Sequence, residues 1–427
     1  MTDRRDTLLK NIQDSIEKYC DSEFDFAFDP ADPVVRLHEP TWSASEINAF
    51  LDCLLTTRVT MGPKVREFER AYASKWGWDH GTMVNSGSSA NLLAIASIAN
   101  KAVPDHLRAG DEVIVPALSW STTVWPLIQC GLVPVIVDID PKTLNIDPAE
   151  IERAIGPKTR AVMIVPVYGN PCDMDAIVDV CDRRNLILIE DCCESMGATY
   201  DGKAVGKFGR VGTFSFYFSH HITTLEGGIC VTDDTEFAES MRILRAHGWI
   251  REVENKSVWL DKYPDIDPKF LFVNIGYNLR ATEPQGAMGL VQLERLDGFI
   301  DARRESAASY RSSLERFDDI FTFQDETPKG RHSWFGFCMT IDPDAGFGKS
   351  DIMEYLGAHN IESRPIICGN IARQPALTMY EHRTVGDLEH ANAVMDRGFS
   401  IGNHQNLDEM AREYVVGKIT EFVDAQA

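Results

Sequence analysis

Residues 110–140, GDEVIVPALSWSTTVWPLIQCGLVPVIVDID, carry the pattern that predicts the fold. Two continuous runs rich in β-branched residues predict strands, and the segment STTVWPLIQC between them predicts a helix. Buried strands that alternate with helices are typical of a parallel sheet covered by helices on both faces. The stretch therefore predicts an α/β protein, and ligands of such sheets bind at the carboxyl ends of the strands.

The alternation continues towards the C-terminus. The helical pattern DPAEIERAI precedes the strand AVMIVPVYG, and MDAIVDVCDRR precedes the strand LILIED. Residues 211–230, VGTFSFYFSHHITTLEGGIC, then predict a buried strand over 213–218, an exposed turn over 219–225 and a second short strand from residue 229. The pair His220-His221 thus follows a strand end. Histidine transfers protons near neutral pH, so His220 is a candidate catalytic residue, although an ordinary loop histidine is the alternative.

Other side chains suited to a binding site follow the predicted strands. Trp120, Asp191, Glu194 and Ser215 lie at or just after strand ends. On the N-terminal side, VNSGSSAN precedes the apolar run LLAIASIA, so backbone N–H groups at a helix start could hold a phosphate. For the serine-rich loop, the alternative is an N-cap that binds no ligand. For Asp191, the alternative is an ordinary capping role.

Composition narrows the classes of partner. The 427 residues include 42 Lys+Arg and 65 Asp+Glu, and the formal charge of −23 argues against binding to nucleic acid or to an anionic membrane. No apolar run approaches the roughly 18 residues of a membrane helix, and the first twenty residues lack the apolar core of a secretory signal. The 10 scattered cysteines suit reduced thiols better than a disulfide framework. These features predict a cytoplasmic protein.

Length and pattern predict three segments: an N-terminal helical extension and linker (1–35), a large domain (36–290) and a smaller C-terminal domain (291–427) that mixes strands and helices. Three residues outside the strand ends are candidates for substrate contacts. They are His247 in RAHGW, Arg364 in IESRPIICGN and His404 in SIGNHQ.

Five motifs in this order resemble those of the DegT/DnrJ/EryC1/StrS sugar aminotransferase family: SGSSANLL, VPALSWSTT, IEDCCESMGATYDGK, SFYFSHHITTLEGG and GYNLRATEPQGAMGLVQLERL. The resemblance extends from about residue 36 to the C-terminus. It implies a fold-type I transferase dependent on pyridoxal 5'-phosphate (PLP), with a mostly parallel seven-stranded sheet and a smaller C-terminal α+β domain.

The resemblance also implies roles for particular residues. Ser88, Ser89 and Ser215 would bind the cofactor phosphate, Trp120 would stack on the pyridine ring, and Asp191 would pair with the ring nitrogen. Glu194 falls near the cofactor face. Asn278 would reach the phosphate in the neighbouring subunit, which implies a homodimer with shared active sites.

The family places a lysine, which forms a Schiff base with PLP, at the position of His220. An imidazole cannot form a stable one. Histidine here resembles the ketosugar 3-dehydratases of the family. In these, glutamate converts PLP to pyridoxamine 5'-phosphate (PMP), and a nucleotide-linked 4-keto-6-deoxyhexose loses its C3 hydroxyl. This closer resemblance implies GDP-4-keto-6-deoxy-D-mannose as the substrate and a 3,6-dideoxy-4-ketosugar as the product.

Three alternatives remain at this stage. A CDP- or dTDP-ketosugar could be the substrate, since no motif distinguishes the bases. A related enzyme uses PMP with a [2Fe-2S] cluster that cysteines hold. This chain keeps one matching cysteine, Cys193, but it has no cysteine between Cys230 and Cys338 to complete such a site, so we expect no metal. A catalytically inactive binding or sensor protein is the third alternative. The absence of the lysine argues against a plain aminotransferase.

Overall fold

The computed structural model describes residues 2–426. The strands in chain order are β1 (His80–Val84), β2 (Glu112–Pro116), β3 (Val133–Val137), β4 (Thr159–Ile164), β5 (Ile187–Asp191), β6 (Thr199–Tyr200), β7 (Lys203–Ala204), β8 (Val211–Ser215), β9 (Gly228–Thr232), β10 (Phe321–Phe323), β11 (Gly330–Arg331), β12 (Phe337–Ile341), β13 (Ser363–Pro365), β14 (Arg383–Thr384) and β15 (Gly398–Ile401). The α-helices are α1 (Thr2–Glu23), α2 (Ala44–Leu55), α3 (Pro63–Trp76), α4 (Gly87–Ile98), α5 (Ser121–Gln129), α6 (Pro148–Ala154), α7 (Met174–Arg184), α8 (Thr235–Arg245), α9 (Ser257–Lys262), α10 (Glu283–Leu314), α11 (Lys349–Ala358), α12 (Glu389–Arg397) and α13 (Glu409–Asp424).

The large sheet has the strand order β1-β9-β8-β5-β4-β2-β3-β14. Every neighbouring pair from β8 to β14 is parallel, and only β9 runs antiparallel, between β8 and β1. Strands β3, β8 and β9 are buried along their whole length because helices cover both faces. The predicted α/β fold with a mostly parallel sheet is confirmed.

The sheet differs from the expected seven strands by one short addition. Strand β14 comes from the C-terminal part of the chain and pairs in parallel with β3 at the sheet edge. It has only two residues, Arg383 and Thr384, which are too few to show an apolar alternation. Sequence patterns therefore gave no signal for it.

Strand β8 ends earlier than the pattern predicted. Its partner β9 begins at Gly228, which pairs with Ser215, and the ladder ends with one further bond from the N–H of Phe216 to the carbonyl of Gly227 at 2.9 Å. The chain then turns, and the N–H of His220 donates to the carbonyl of Tyr217 at 3.0 Å. Ser215 therefore stands at the carboxyl end of β8 and His220 in the turn behind it.

The C-terminal part forms an antiparallel sheet of order β10-β12-β15-β13. Its core combines this sheet with residues of α10, α11 and α13, among them Tyr310, Ile352 and Ile419. Helix α10 continues without a break through residue 290, where the sequence analysis placed a domain boundary. That division stays a prediction.

At the N-terminus, α1 packs against α2. Within residues 2–426, no helix is both long enough and apolar enough to cross a membrane.

Candidate active site

A cavity of about 320 Å³ opens at the carboxyl ends of β2, β5 and β8. Its lining is Ser86, Gly87, Ser88, Asn91, Trp120, Thr122, Thr123, Val165, Asp191, Cys193, Glu194, Ser215, Tyr217, Ser219, His220, Glu226, Phe335, Arg364 and Ile367. Parallel α/β sheets bind their ligands at this edge. The cavity brings together most of the residues that the sequence pointed to.

The start of α4 forms one wall. Ser86 is the N-cap residue, and its hydroxyl accepts from the N–H of Ser89 at 3.0 Å. Ser88 and Ser215 line the cavity, whereas Ser89 does not, because its own hydroxyl is bonded to Ser86. A Cβ atom at Gly87 would lie 2.4 Å from the Cβ of Ser215. Small residues thus bring hydroxyls and helix N–H groups to one place, as an anion site requires.

Asp191 is the last residue of β5 and is only 4% exposed. Its Oδ2 accepts from the amide of Asn91 at 2.8 Å and from the hydroxyl of Thr123 at 2.7 Å. The hydroxyl of Thr213 in turn donates to the amide oxygen of Asn91 at 2.5 Å. Among the described residues no arginine or lysine pairs with this carboxylate. A buried carboxylate held by neutral donors can accept a cationic N–H from a ligand.

Trp120 precedes α5 as its N-cap residue. Its indole is 55% exposed and lines the cavity. An exposed aromatic face beside a buried carboxylate suits a flat, partly charged ring.

Glu194 and Arg364 lie on the cavity wall. Burial raises the pKa of Glu194 to about 7, with Asp191 adding to the rise and Arg364 opposing it. The Oε2 atom of Glu194 is buried without a hydrogen-bond partner within the described chain. This carboxyl group can therefore change its protonation state near neutral pH.

His220 lines the cavity, and its Nδ1 is buried without a hydrogen-bond partner among the described residues. Burial lowers the pKa of His220 to about 3, and the positive charges of Arg364 and Arg303 add to this effect. The imidazole is therefore neutral at physiological pH.

His221 points elsewhere. It is fully buried, is absent from the cavity lining, and its Nε2 donates to the carbonyl of Ser333 at 3.0 Å. Of the two adjacent histidines, His220 alone lines the cavity.

Besides Ser89, three predicted residues lie outside the cavity lining. Asn278 is exposed and its side-chain oxygen accepts from Arg280 at 2.9 Å. His247 is exposed nearby, with its Nε2 at 3.4 Å from Arg280. His404 is 2% exposed, and both of its ring nitrogens are buried without partners in the described chain. Within one chain, none of the three reaches the cavity.

Sequence reasoning missed several residues of the site. Asn91 and Thr123 hold Asp191, and both stand inside motifs that were quoted for the resemblance. Their signal was a polar residue in the first turn or two of an otherwise apolar helix. Phe335 comes from a distant part of the chain and carries no charge, so no local pattern marked it.

The cavity residues fit a pyridoxal cofactor. The hydroxyls and N–H groups at the start of α4 match a phosphate, the exposed indole of Trp120 matches a flat ring, and buried Asp191 lacks the cation that a protonated ring nitrogen would supply. No group of three or more histidine, cysteine or acidic side chains in the described part of the chain is arranged to hold a metal ion.

Residues 40–420 match the DegT/DnrJ/EryC1/StrS aminotransferase family, and the chain belongs to this family. It is 41% identical over 372 residues to the GDP-4-keto-6-deoxy-D-mannose 3-dehydratase of Escherichia coli O55:H7 (strain CB9615 / EPEC), covering 86% of this chain and 95% of that protein. It is 37% identical over 386 residues to the dTDP-4-dehydro-2,6-dideoxy-D-glucose 3-dehydratase of Saccharopolyspora spinosa, covering 88% and 83%.

Solved structures of 3-dehydratases are also similar to this chain. A mutant GDP-4-keto-6-deoxymannose-3-dehydratase with bound GDP-perosamine superposes with a TM-score of 0.84 at 38% identity, covering 90% of this chain and all of that chain. A GDP-4-keto-6-deoxymannose-3-dehydratase with a trapped PLP-glutamate geminal diamine has a TM-score of 0.82 at 37% identity, covering 90% and 99%.

Proposed function

We propose that this protein is a PLP/PMP-dependent 3-dehydratase of a nucleotide-linked 4-keto-6-deoxyhexose. Its substrate is GDP-4-keto-6-deoxy-D-mannose and its product is a 3,6-dideoxy-4-ketosugar. The observation that carries the proposal is His220, which lies on the cavity wall with Asp191 and Trp120 where the family has a lysine. No lysine is among the described residues that line the cavity.

Bound PMP would supply an amine that condenses with the sugar ketone and a conjugated ring that takes up electron density when a proton leaves. Ser88, Ser215 and the start of α4 would hold its phosphate, and Trp120 its ring. Asp191, fixed by Asn91 and Thr123, would keep the ring nitrogen protonated.

His220 acts as the acid-base group. Its neutral imidazole would accept a proton from the C4′ carbon of the bound cofactor, and loss of that proton would drive the C3–O bond of the sugar to break. The resulting imidazolium returns a proton to the departing hydroxyl, so one ring serves both steps. The electrons come from glutamate, which leaves as 2-oxoglutarate, and its nitrogen is released as ammonia.

We also propose a cytoplasmic homodimer in which Asn278 completes the partner's active site. Asn278 is exposed, and close by in sequence Ile275 is 91% exposed and Phe272 52% exposed. Exposed apolar side chains that cluster in this way mark contact surfaces. The free thiol state of all ten cysteines suits a reducing compartment.

The test is incubation of the purified protein with PLP, L-glutamate and, separately, GDP-, CDP- and dTDP-linked 4-keto-6-deoxysugars. We expect equal amounts of ammonia and 2-oxoglutarate, with the GDP-sugar consumed fastest. The 37% identity to the dTDP-sugar enzyme makes the dTDP substrate the second candidate. Cofactor binding with no turnover of any sugar would instead identify a binding or sensor protein.

A further inference from the structure

Helix α1 packs against α2 with one of its sides. Leu9 and Ile16 are half-buried on that side, and Cys20 is only 7% exposed. The amide of Gln13 donates to the carboxylate of Asp52 in α2 at 3.5 Å. The helix therefore has one partly apolar side that its own chain covers.

A second apolar stripe on α1 is exposed. Leu8, Ile12 and Tyr19 are 53, 41 and 60% exposed, and their spacing of four and seven residues keeps them on one face of the helix. They line an open groove of about 640 Å³ together with Asn11, Ser15, Ile16 and Ile47. The stripe has the spacing that helices use to pack against another helix.

The exposed surface continues over α2. Ile47 also lines a second groove of about 270 Å³, whose other residues are Trp42, Glu46, Phe50, Leu51, Leu54, Leu225 and Met288. Leu54 is 46% exposed and Leu225 is 44% exposed. We call the residues of the two grooves the α1–α2 face. An apolar surface that is continuous over two helices marks a site of contact with another macromolecule.

The charges of α1 indicate which macromolecule this is. Residues 1–11 contain three basic and two acidic side chains, whereas residues 13–23 contain one basic and four acidic side chains. The two halves of the helix therefore carry net charges of opposite sign. An antiparallel pair of such helices sets each half against the oppositely charged half of its partner, whereas a parallel pair sets like charge against like charge.

We propose that the α1–α2 face binds the same face of a second copy of this chain, with the two α1 helices packed antiparallel about a two-fold axis. In a two-fold contact, one surface meets its own copy, so a self-complementary helix is what the symmetry requires. This contact is additional to the one proposed around Asn278. Helix α1 lies before residue 40, where the match to the family begins, so the contact uses a part of the chain outside that match.

One register of the antiparallel pair satisfies both the apolar stripe and the charges. It sets Leu8 against Tyr19 of the second copy and brings the two Ile12 side chains close to the two-fold axis. It also sets Arg5 beside Glu23 of the second copy, and the symmetry repeats this ion pair. Both charged side chains are exposed in the single chain and are free to meet in this way.

The first test joins the two helices by a disulfide, using Leu8→Cys and Tyr19→Cys in one full-length chain. Within one helix these positions are about 16 Å apart along the axis, and a disulfide needs Cα atoms within about 7 Å, so a bond between them must join two chains. We expect oxidation to give mostly covalent dimers on a non-reducing gel, and each single variant to give few. Met379→Cys with Met410→Cys, at exposed positions elsewhere, is the control for chance collision.

The second test measures self-association of the full-length protein by sedimentation velocity over a range of concentrations. Ile12→Glu places a carboxylate at the centre of the pair, and we expect it to raise the protein concentration needed for one association step by about tenfold or more. Lys10→Glu places the same side chain on the opposite, exposed side of α1 and should leave every step within about threefold of the wild type.

Charge reversal tests the register in the same assay. Arg5→Glu should weaken the step that Ile12→Glu weakens, because it sets like charges side by side twice in each pair. Adding Glu23→Arg to Arg5→Glu should restore it, since the ion pair is then reversed and not lost.

Three results would overturn the proposal. The first is a double cysteine variant that cross-links no more than its controls, and the second is self-association that Ile12→Glu leaves unchanged. A face that serves a different protein would give both of these results together. The third is covalent dimers formed by Leu8→Cys alone, which would show that the helices pair in parallel.

Discussion

The imidazole of His220 packs edge-on against the ring of Phe335, with ring centroids 5.1 Å apart and planes at 75°. The same phenyl ring lies 5.8 Å from His221, whose Nε2 is bonded to the backbone of the adjoining loop. Aromatic packing therefore orients His220, while its Nδ1 makes no hydrogen bond in the described chain. A base held in this way can gain and lose a proton without breaking a bond to its neighbours.

Replacing Phe335 with leucine tests this orientation. We expect Phe335→Leu to lower kcat by about ten- to a hundredfold, because small displacements of a catalytic group are costly, and to leave cofactor affinity nearly unchanged. Steady-state kinetics and an absorbance titration with PLP measure the two effects. Phe323→Leu removes a buried ring of the C-terminal core and should lower stability without lowering kcat. Equal kcat losses in both variants would show that Phe335 has no special role.

Gly87→Ala tests the phosphate site. The added Cβ would lie 2.4 Å from the Cβ and 2.7 Å from the Oγ of Ser215, so the start of α4 must move away from β8. We expect affinity for PLP to fall by about tenfold or more, measured by absorbance titration. At Gly417, where a Cβ meets nothing within 4 Å, alanine should leave PLP affinity unchanged. Wild-type affinity in Gly87→Ala would place the phosphate elsewhere.

Hybrid dimers test the shared site. We expect Asn278→Ala and His220→Asn each to be inactive as homodimers, because one loses a phosphate ligand and the other the base. Mixed subunits should regain activity, since one site per hybrid combines the intact His220 with the intact Asn278. Activity after subunit exchange is the measurement. No recovery, with hybrids verified by native mass spectrometry, would contradict the role of Asn278.

The buried histidines predict how stability depends on pH. Burial, with the charge of Arg303, lowers the pKa of His404 to about 3, whereas a histidine in the unfolded chain titrates near 6.5. The unfolded state therefore binds more protons between pH 6.5 and 3. His404 should contribute a loss of about 1.4 kcal/mol in the free energy of unfolding for each pH unit below 6.5.

Denaturant unfolding between pH 7 and 5 measures this slope. His404→Gln should make it shallower, whatever its effect on stability at pH 7. His247→Gln removes an exposed histidine and is the control. An unchanged slope in His404→Gln would mean that the ring is solvated in the folded protein.

Much of this arrangement was predictable because it depends on local pattern. The β-branched runs determined the parallel sheet, and the sheet places Trp120, Asp191 and Ser215 at one edge. Contacts from distant segments were not predictable in this way. Phe335 reaches His220 from the loop before β12, and Tyr168 meets Arg364 from a 3-10 turn after β4.

Burial explains the remaining differences. Ser89 follows a small-residue loop that pointed to phosphate, but its hydroxyl turns to Ser86. His404 lies in a polar motif, yet it is packed inside the protein away from the cavity. Which face of a short segment is buried depends on tertiary packing, which motif spacing does not report.

The mass of the sugar product tests the central claim most directly. Purified protein is incubated with PLP, L-glutamate and GDP-4-keto-6-deoxy-D-mannose, and the nucleotide sugar is analysed by mass spectrometry. A dehydratase in which His220 replaces the lysine should yield a ketosugar lighter by one oxygen atom, because the C3 hydroxyl is replaced by hydrogen. A product that retains every hydroxyl and carries an amino group in place of the ketone would contradict the account and identify an aminotransferase.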